Sequence, residues 1–124
     1  IEEYGAALEK FMAAGYEVQI TELDFTINFD TDGTDKKDPS YDYKNEGETI
    51  EEQAAFVKDF MEMVIAKQKN RDKTVSPKGI TGLTIWGLYD SISWRGKSQP
   101  LLFGTSIDDP KPAFQAFLEA SRTK

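Results

Sequence analysis

The chain contains neither cysteine nor histidine in its 124 residues. The first absence excludes disulfides, thiolate metal sites and a cysteine nucleophile, and leaves the redox compartment open. The second removes any histidine-dependent triad or two-histidine zinc site from what the chain can build by itself. No apolar run approaches the roughly 18 residues needed to span a bilayer, so no membrane partner is expected. Positive charge is also short, with 15 basic against 22 acidic residues and a net charge of -7. That balance disfavours nucleic acid and anionic membranes and suits a neutral or cationic partner, a polysaccharide among them. The basic residues are dispersed, and no glycine-rich phosphate cradle follows either expected strand. The opening Ile1-Glu2-Glu3-Tyr4 lacks the basic-then-apolar order of a signal peptide. It reads as the inside of a helix with no capping residue ahead of it, the pattern of a segment whose upstream part lies elsewhere.

What is present is ordinary for a globular chain, 39% hydrophobic and 30% charged, with room for one modest domain. Tyr4, Ala7, Leu8, Phe11 and Met12 recur at helical spacing, and Gly15 follows where a left-handed C-terminal cap belongs. Tyr16 to Phe25 is short and β-rich, which predicts a buried strand. Ile27 to Glu48 has no period and reads as a long loop, a type that is usually functional in compact domains. Thr49-Ile50-Glu51-Glu52 is a capping box. Ile50, Ala54, Val57, Met61 and Val64 then trace one face of a helix ending near Asn70, with Phe56, Phe60 and Met63 widening the stripe. Ile80 to Trp86 predicts a second strand, and Pro112 suits the first position of a closing helix that buries Phe114, Phe117 and Leu118. The order helix, strand, helix, strand, helix is α/β, yet two strands cannot make a parallel sheet covered on both faces. The remaining strands must come from elsewhere. No internal repeat, low-complexity segment or second domain is evident.

The chemistry centres on Val18-Gln19-Ile20-Thr21-Glu22-Leu23-Asp24-Phe25, an apolar strand ending in two carboxylates two residues apart. Alternation along a strand sends Glu22 and Asp24 to the same side. Strand ends carry function in parallel α/β proteins because the sheet is a rigid frame and the loops give access. The plain alternative is an acidic residue solvated just past a strand. Asn28 to Gly33 has the first half of a calcium loop, but Pro39 stands where that motif needs glutamate, so an acidic turn is the better reading and no metal is expected. Tyr41 and Tyr43, in the same loop, either line a binding cleft or pin the loop down.

Thr21-Glu22-Leu23-Asp24, followed about sixty residues later by Ile85-Trp86-Gly87-Leu88-Tyr89-Asp90-Ser91-Ile92-Ser93-Trp94-Arg95, then by Pro100-Leu101-Leu102-Phe103 and Lys111-Pro112-Ala113-Phe114, resembles the C-terminal part of family 10 glycoside hydrolases, the endo-1,4-β-xylanases. The resemblance covers nearly the whole chain. It implies the C-terminal portion of a (β/α)8 TIM barrel, its last two strands and their helices, with residues 1–124 forming one segment of a single barrel domain that the missing N-terminal part completes. It implies endo-acting hydrolysis of xylan with retention, Glu22 as nucleophile and no cofactor. A retaining glycosidase needs a second carboxyl group about 5–5.5 Å from the nucleophile, across the scissile bond. Asp24 leaves the same strand as Glu22 and cannot reach the leaving group from the other side. The resemblance gives it a supporting role, orienting a histidine that lies outside this chain, and the acid/base glutamate is missing here too. These residues alone are expected not to catalyse.

Trp86 and Trp94 match positions that pack around the sugar next to the cleaved bond, and aromatic faces suit pyranose C–H surfaces. Core or interface packing is the bland alternative for both. Arg95 either faces the same cleft or is simply solvated. The partners implied are xylan or xylo-oligosaccharides and the N-terminal part of the same barrel. Secretion follows from the resemblance alone, because polymeric xylan cannot enter a cell. The rivals are a retaining cellulase or mannanase, a silent carbohydrate-binding or inhibitor-like protein, and a fragment with no function of its own.

Overall fold

The computed structural model describes residues 1–27, 49–95 and 98–123. In order along the chain they form α1 (Glu2–Ala13), β1 (Val18–Leu23), α2 (Ile50–Asn70), β2 (Ile80–Ile85), a 3-10 turn at Asp90–Ile92 and α3 (Pro112–Ser121). The two strands pair in parallel, joined by α2 as the crossover, with Ile20 opposite Leu83 and Leu23 opposite Ile85. This is a βαβ unit flanked by one helix on each side in sequence. Each strand has one edge with no strand partner among the described residues.

Local chemistry sets the boundaries. α1 stops at a Schellman turn, in which Tyr16 N donates to Phe11 O at 3.1 Å and Gly15 N to Met12 O at 2.9 Å, with Gly15 at φ 86°. Tyr16 is consumed by that cap, so β1 begins at Val18 rather than Tyr16. α2 starts with the capping box, Glu52 N donating to Thr49 Oγ1 at 3.1 Å and Thr49 N to Glu52 Oε2 at 2.7 Å. Pro112 stands in the first turn of α3, as its fixed φ favours.

The core gathers Leu8 and Met12 of α1, Ile20 of β1, Phe25, Val57, Phe60, Met61 and Val64 of α2, Leu102, and Ala113 and Ala120 of α3. Phe60 takes edge contacts from both Tyr4 and Phe25, at ring-centroid separations of 5.1 and 5.5 Å. Two expectations of burial need correction. On α2, Ile50 and Ala54 are only half-buried and Phe56 is exposed, while Gln53, not among the apolar residues expected to line the stripe, is buried. On α3 the small Ala113 and Ala120 sit in the core, and Phe114, Phe117 and Leu118 are half-buried along its margin. On α1, Leu8 and Met12 are buried, Tyr4 is partly covered by its contact with Phe60, and Phe11 is 56% exposed.

The turn from α2 into β2 is held by two side chains of the last helical turn and its cap. Gln68 Nε2 donates to Lys78 O at 3.0 Å while its Oε1 accepts from Ile80 N at 2.6 Å. Arg71 donates to Ser76 O at 2.9 Å and Pro77 O at 2.8 Å. Gly79 threads between them at φ 66°, and a Cβ there would collide with Gln68 Oε1 and the Arg71 side chain. Gly79→Ala is therefore expected to cost about 2 kcal/mol or more, from the left-handed backbone and the displaced clamp together. A melting temperature lowered by less than one degree would contradict this account of the turn.

Candidate functional site

The site lies at the C-terminal ends of the two strands. β1 does not run on as a regular strand to its carboxylates: the register slips between Ile20 and Leu23, and Glu22 takes φ 55°. The strict alternation expected through Glu22 and Asp24 is thus interrupted by a bulge, a device that re-aims a side chain at a strand end. Glu22 is exposed, and Asp24 is half-buried with Oδ1 shut off from solvent. A left-handed backbone is costly for a residue with a Cβ, and such positions cluster at functional sites.

The second strand delivers the aromatic groups. Trp86 N donates to Leu23 O at 3.1 Å, which fixes the backbone of Trp86 directly beside the carboxylate pair. The residue is 49% exposed. Trp94 arrives from the turn beyond Asp90–Ile92, and its Nε1 donates to Asp24 Oδ2 at 2.9 Å. The Arg95 guanidinium lies 4.2 Å from the centre of the Trp94 ring, in cation–π contact. Burial holds the Asp24 carboxyl above the usual range and the nearby Glu22 charge adds to that, while the Trp94 hydrogen bond and the Arg95 charge work against it. All five residues singled out from the sequence thus come together at one end of the strand pair.

Beyond Leu23 the chain leaves the ladder with β2 and turns to a different partner. Phe25 N donates to Pro100 O at 2.8 Å and Ile27 N to Ser98 O at 2.9 Å, so the segment after the carboxylates is tied to the return of the Trp94 loop. Sequence reasoning missed the groups beneath this junction. Asp90 and Lys111 form a buried ion pair at 2.9 Å, and Gln53 is 2% exposed. Gln53 had a signal, a polar residue on the buried stripe of an amphipathic helix. Asp90 and Lys111 stand within the motif segments that carry the resemblance, but nothing in the sequence indicates that they pair, because they lie far apart along the chain.

Among the described residues, no group of three or more acidic side chains is arranged to hold a metal, and no helix is long and apolar enough to cross a membrane. Asn28 to Gly33, Tyr41 and Tyr43 lie outside the described residues.

The family model of glycosyl hydrolase family 10 matches residues 1–120. The chain belongs to this family. A bifunctional endo-1,4-beta-xylanase, XylA of Ruminococcus flavefaciens, is 31% identical over 119 residues, covering 96% of the chain and 9% of that protein. The family 10 and carbohydrate-binding modules of endo-1,4-beta-D-xylanase 10B from Clostridium thermocellum, solved with xylohexaose, superpose with a TM-score of 0.69 at 26% identity, over 99% of the chain and 20% of that structure. TsXylA, described as an intracellular xylanase of Thermoanaerobacterium saccharolyticum and solved with xylotriose, gives a TM-score of 0.63 at 30% identity, over 94% of the chain and 29% of its own. The chain thus spans less than a third of the length of each of these proteins.

Proposed function

We propose that this chain is the C-terminal segment of a family 10 xylanase barrel, that the whole protein cleaves internal β-1,4-xylosidic bonds of xylan with retention, and that Glu22 is the nucleophile. The observation that carries the reading is the placement of Glu22. It is an exposed carboxylate on a bulged strand end, with Trp86 hydrogen-bonded into the same strand and Trp94 bonded to Asp24 beside it. The unpaired edges of β1 and β2 fit two neighbouring barrel strands that take their other partners from the N-terminal part. Relatives that are xylanases, two of them solved with xylo-oligosaccharides, support the substrate class.

In this mechanism Glu22 attacks the anomeric carbon to form a glycosyl ester, and a carboxylic acid on the missing part protonates the departing oxygen. The same group, now a carboxylate, deprotonates water in the second step. Asp24 does not reach the leaving group. It stabilises the site by receiving the Trp94 indole N–H and by orienting a partner from the N-terminal part through its enclosed Oδ1. Trp86 and Trp94 form walls of the sugar site, with Arg95 backing the Trp94 ring. Secretion goes with a polymeric substrate, whereas one structural neighbour, TsXylA, is described as an intracellular xylanase. A cytosolic form would take short xylo-oligosaccharides.

The test is covalent trapping. Incubating the whole protein with a 2-fluoro-xylobioside that carries a good leaving group, then measuring intact mass and mapping peptides, is expected to place one label on Glu22. A label on another carboxylate would remove Glu22 from the role. Turnover of xylan without any trapped species would remove the covalent mechanism, and greater activity on cellulose than on xylan would favour a cellulase.

A further inference from the structure

Asp90 and Lys111 are buried charges that no step of the proposed hydrolysis uses, and taking each out of water costs several kcal/mol before any return. Their geometry shows what they hold. The Lys111 ammonium donates to Gln99 O and to Leu101 O, both at 2.7 Å, and is ion-paired with Asp90 Oδ2 at 2.9 Å. Asp90 uses its other oxygen to accept from Leu101 N at 2.8 Å. Gln53 Nε2, from the first turns of α2, donates to the same Gln99 O at 2.7 Å and to Phe25 O at 2.6 Å. Gln99 itself is held at φ 44°, a backbone state that non-glycine residues avoid unless the surroundings over-determine it.

These bonds converge on the two ends of one excursion of the chain. It leaves at Asp90, carries Trp94 and Arg95 outward, and returns at Gln99 to Leu101. We propose that Lys111, Asp90 and Gln53 are positioning residues that clip the base of this excursion to the segment following β1, and thereby hold the Trp94 ring on Asp24 where it shapes the cleft. Among the described residues, these bonds of the three side chains run to one another and to backbone groups of Phe25, Gln99 and Leu101. They act through the backbone at Phe25, Gln99 and Leu101. The inference rests on the reading of Trp94 as a cleft wall, but its first readout does not require catalysis.

That readout is the exchange of the Trp94 indole N–H with solvent, followed by NMR in the whole protein with isotope-labelled tryptophan. Lys111→Met and Gln53→Leu are each expected to speed this exchange by about tenfold or more, well below the melting temperature of either variant. On xylohexaose, KM is expected to rise several-fold while kcat changes less than about twofold. Lys111→Met strands the Asp90 carboxylate, so the double variant Asp90→Asn with Lys111→Met is the control for stability alone. It is expected to recover much of the melting temperature and to keep the fast exchange and raised KM. Recovery of slow exchange together with the melting temperature would overturn the proposal, as would unchanged exchange in Gln53→Leu. If Lys111→Met does not fold, Gln53→Leu decides, since it strands no charge. If the unaltered protein cleaves no xylo-oligosaccharide, the hydrolase reading falls and the indole exchange still decides the clip.

Discussion

Glu22→Ala in the whole protein is expected to lower kcat on xylan by a factor on the order of 10⁴ or more, the scale on which loss of a covalent nucleophile is felt. The melting temperature should barely move, because Glu22 is exposed and relieves no burial cost when removed. The stereochemistry of rescue makes the assignment specific. With an aryl xylobioside, azide can enter the space left by the carboxylate and attack the anomeric carbon from the face Glu22 would have used. A single displacement then releases the aryl alcohol and gives the α-configured glycosyl azide. A β-configured azide would mean that Glu22 had been the acid/base instead. Asp24→Ala separates the two carboxylates. It is expected to cost less in rate and more in stability than Glu22→Ala, because it removes the acceptor of the Trp94 indole from a partly enclosed site. Turnover within about tenfold of normal in Glu22→Ala would leave the retaining reading without its nucleophile.

The elements were legible wherever short-range chemistry decides them. The capping box at Thr49 and Glu52, the cap at Gly15 and the proline opening α3 each act over a few residues and stand in the structure where their side chains require. The order of the elements follows from those punctuation marks. The bulge at Glu22 was not legible, because period-two alternation assumes an unbroken ladder and carries no term for an inserted residue. Nor was the extent of burial on α1 and α3. Helical spacing says which residues share a face, and burial depends on what covers that face. Among the described residues Phe11 and Tyr4 have too little to cover them, whereas α3 packs extensively against α2 through small residues.

The site divides along the same line. Glu22, Asp24, Trp86, Trp94 and Arg95 were found through the order of motifs, and the structure gathers all five at one end of the strand pair. What fixes them relative to each other is a set of long-range polar contacts. The two carbonyls that Gln53 bonds, and the two carbonyls and one carboxylate that Lys111 holds, lie far away in the chain, so no spacing identifies these partners even where the polar residue itself stands out on a buried stripe. The residues that touch the substrate in the proposed mechanism could therefore be named from the motifs, whereas the pairing of Asp90 with Lys111, although both stand in those motifs, is visible only in the structure.

Trp86→Ala should show the largest effect of any change that leaves the carboxylates intact. The backbone of Trp86 is committed twice, by its N–H to Leu23 O at 3.1 Å and by Gly87 behind it at φ 139°. A Cβ on Gly87 would stand 2.9 Å from Leu101 Cδ1, and Leu101 is fully buried, so the chain has little room to shift there. A rigid backbone carrying a half-exposed indole is an arrangement suited to binding, because the ring is already oriented and its free face is wet. Truncation of such an aromatic anchor typically costs about 2–3 kcal/mol, or a loss of roughly 30- to 150-fold in kcat/KM on xylohexaose. Trp86→Phe keeps a ring face and is expected to retain most of the rate. Stability gives the opposite contrast, since a residue that is 49% exposed has only half its area to lose from the core, and the melting temperature should fall by a few degrees at most. A large drop in melting temperature with kcat/KM preserved would identify Trp86 as packing for the N-terminal part. The sugar-facing role would then fall to Trp94, whose indole is held by Asp24 and whose ring is backed by Arg95.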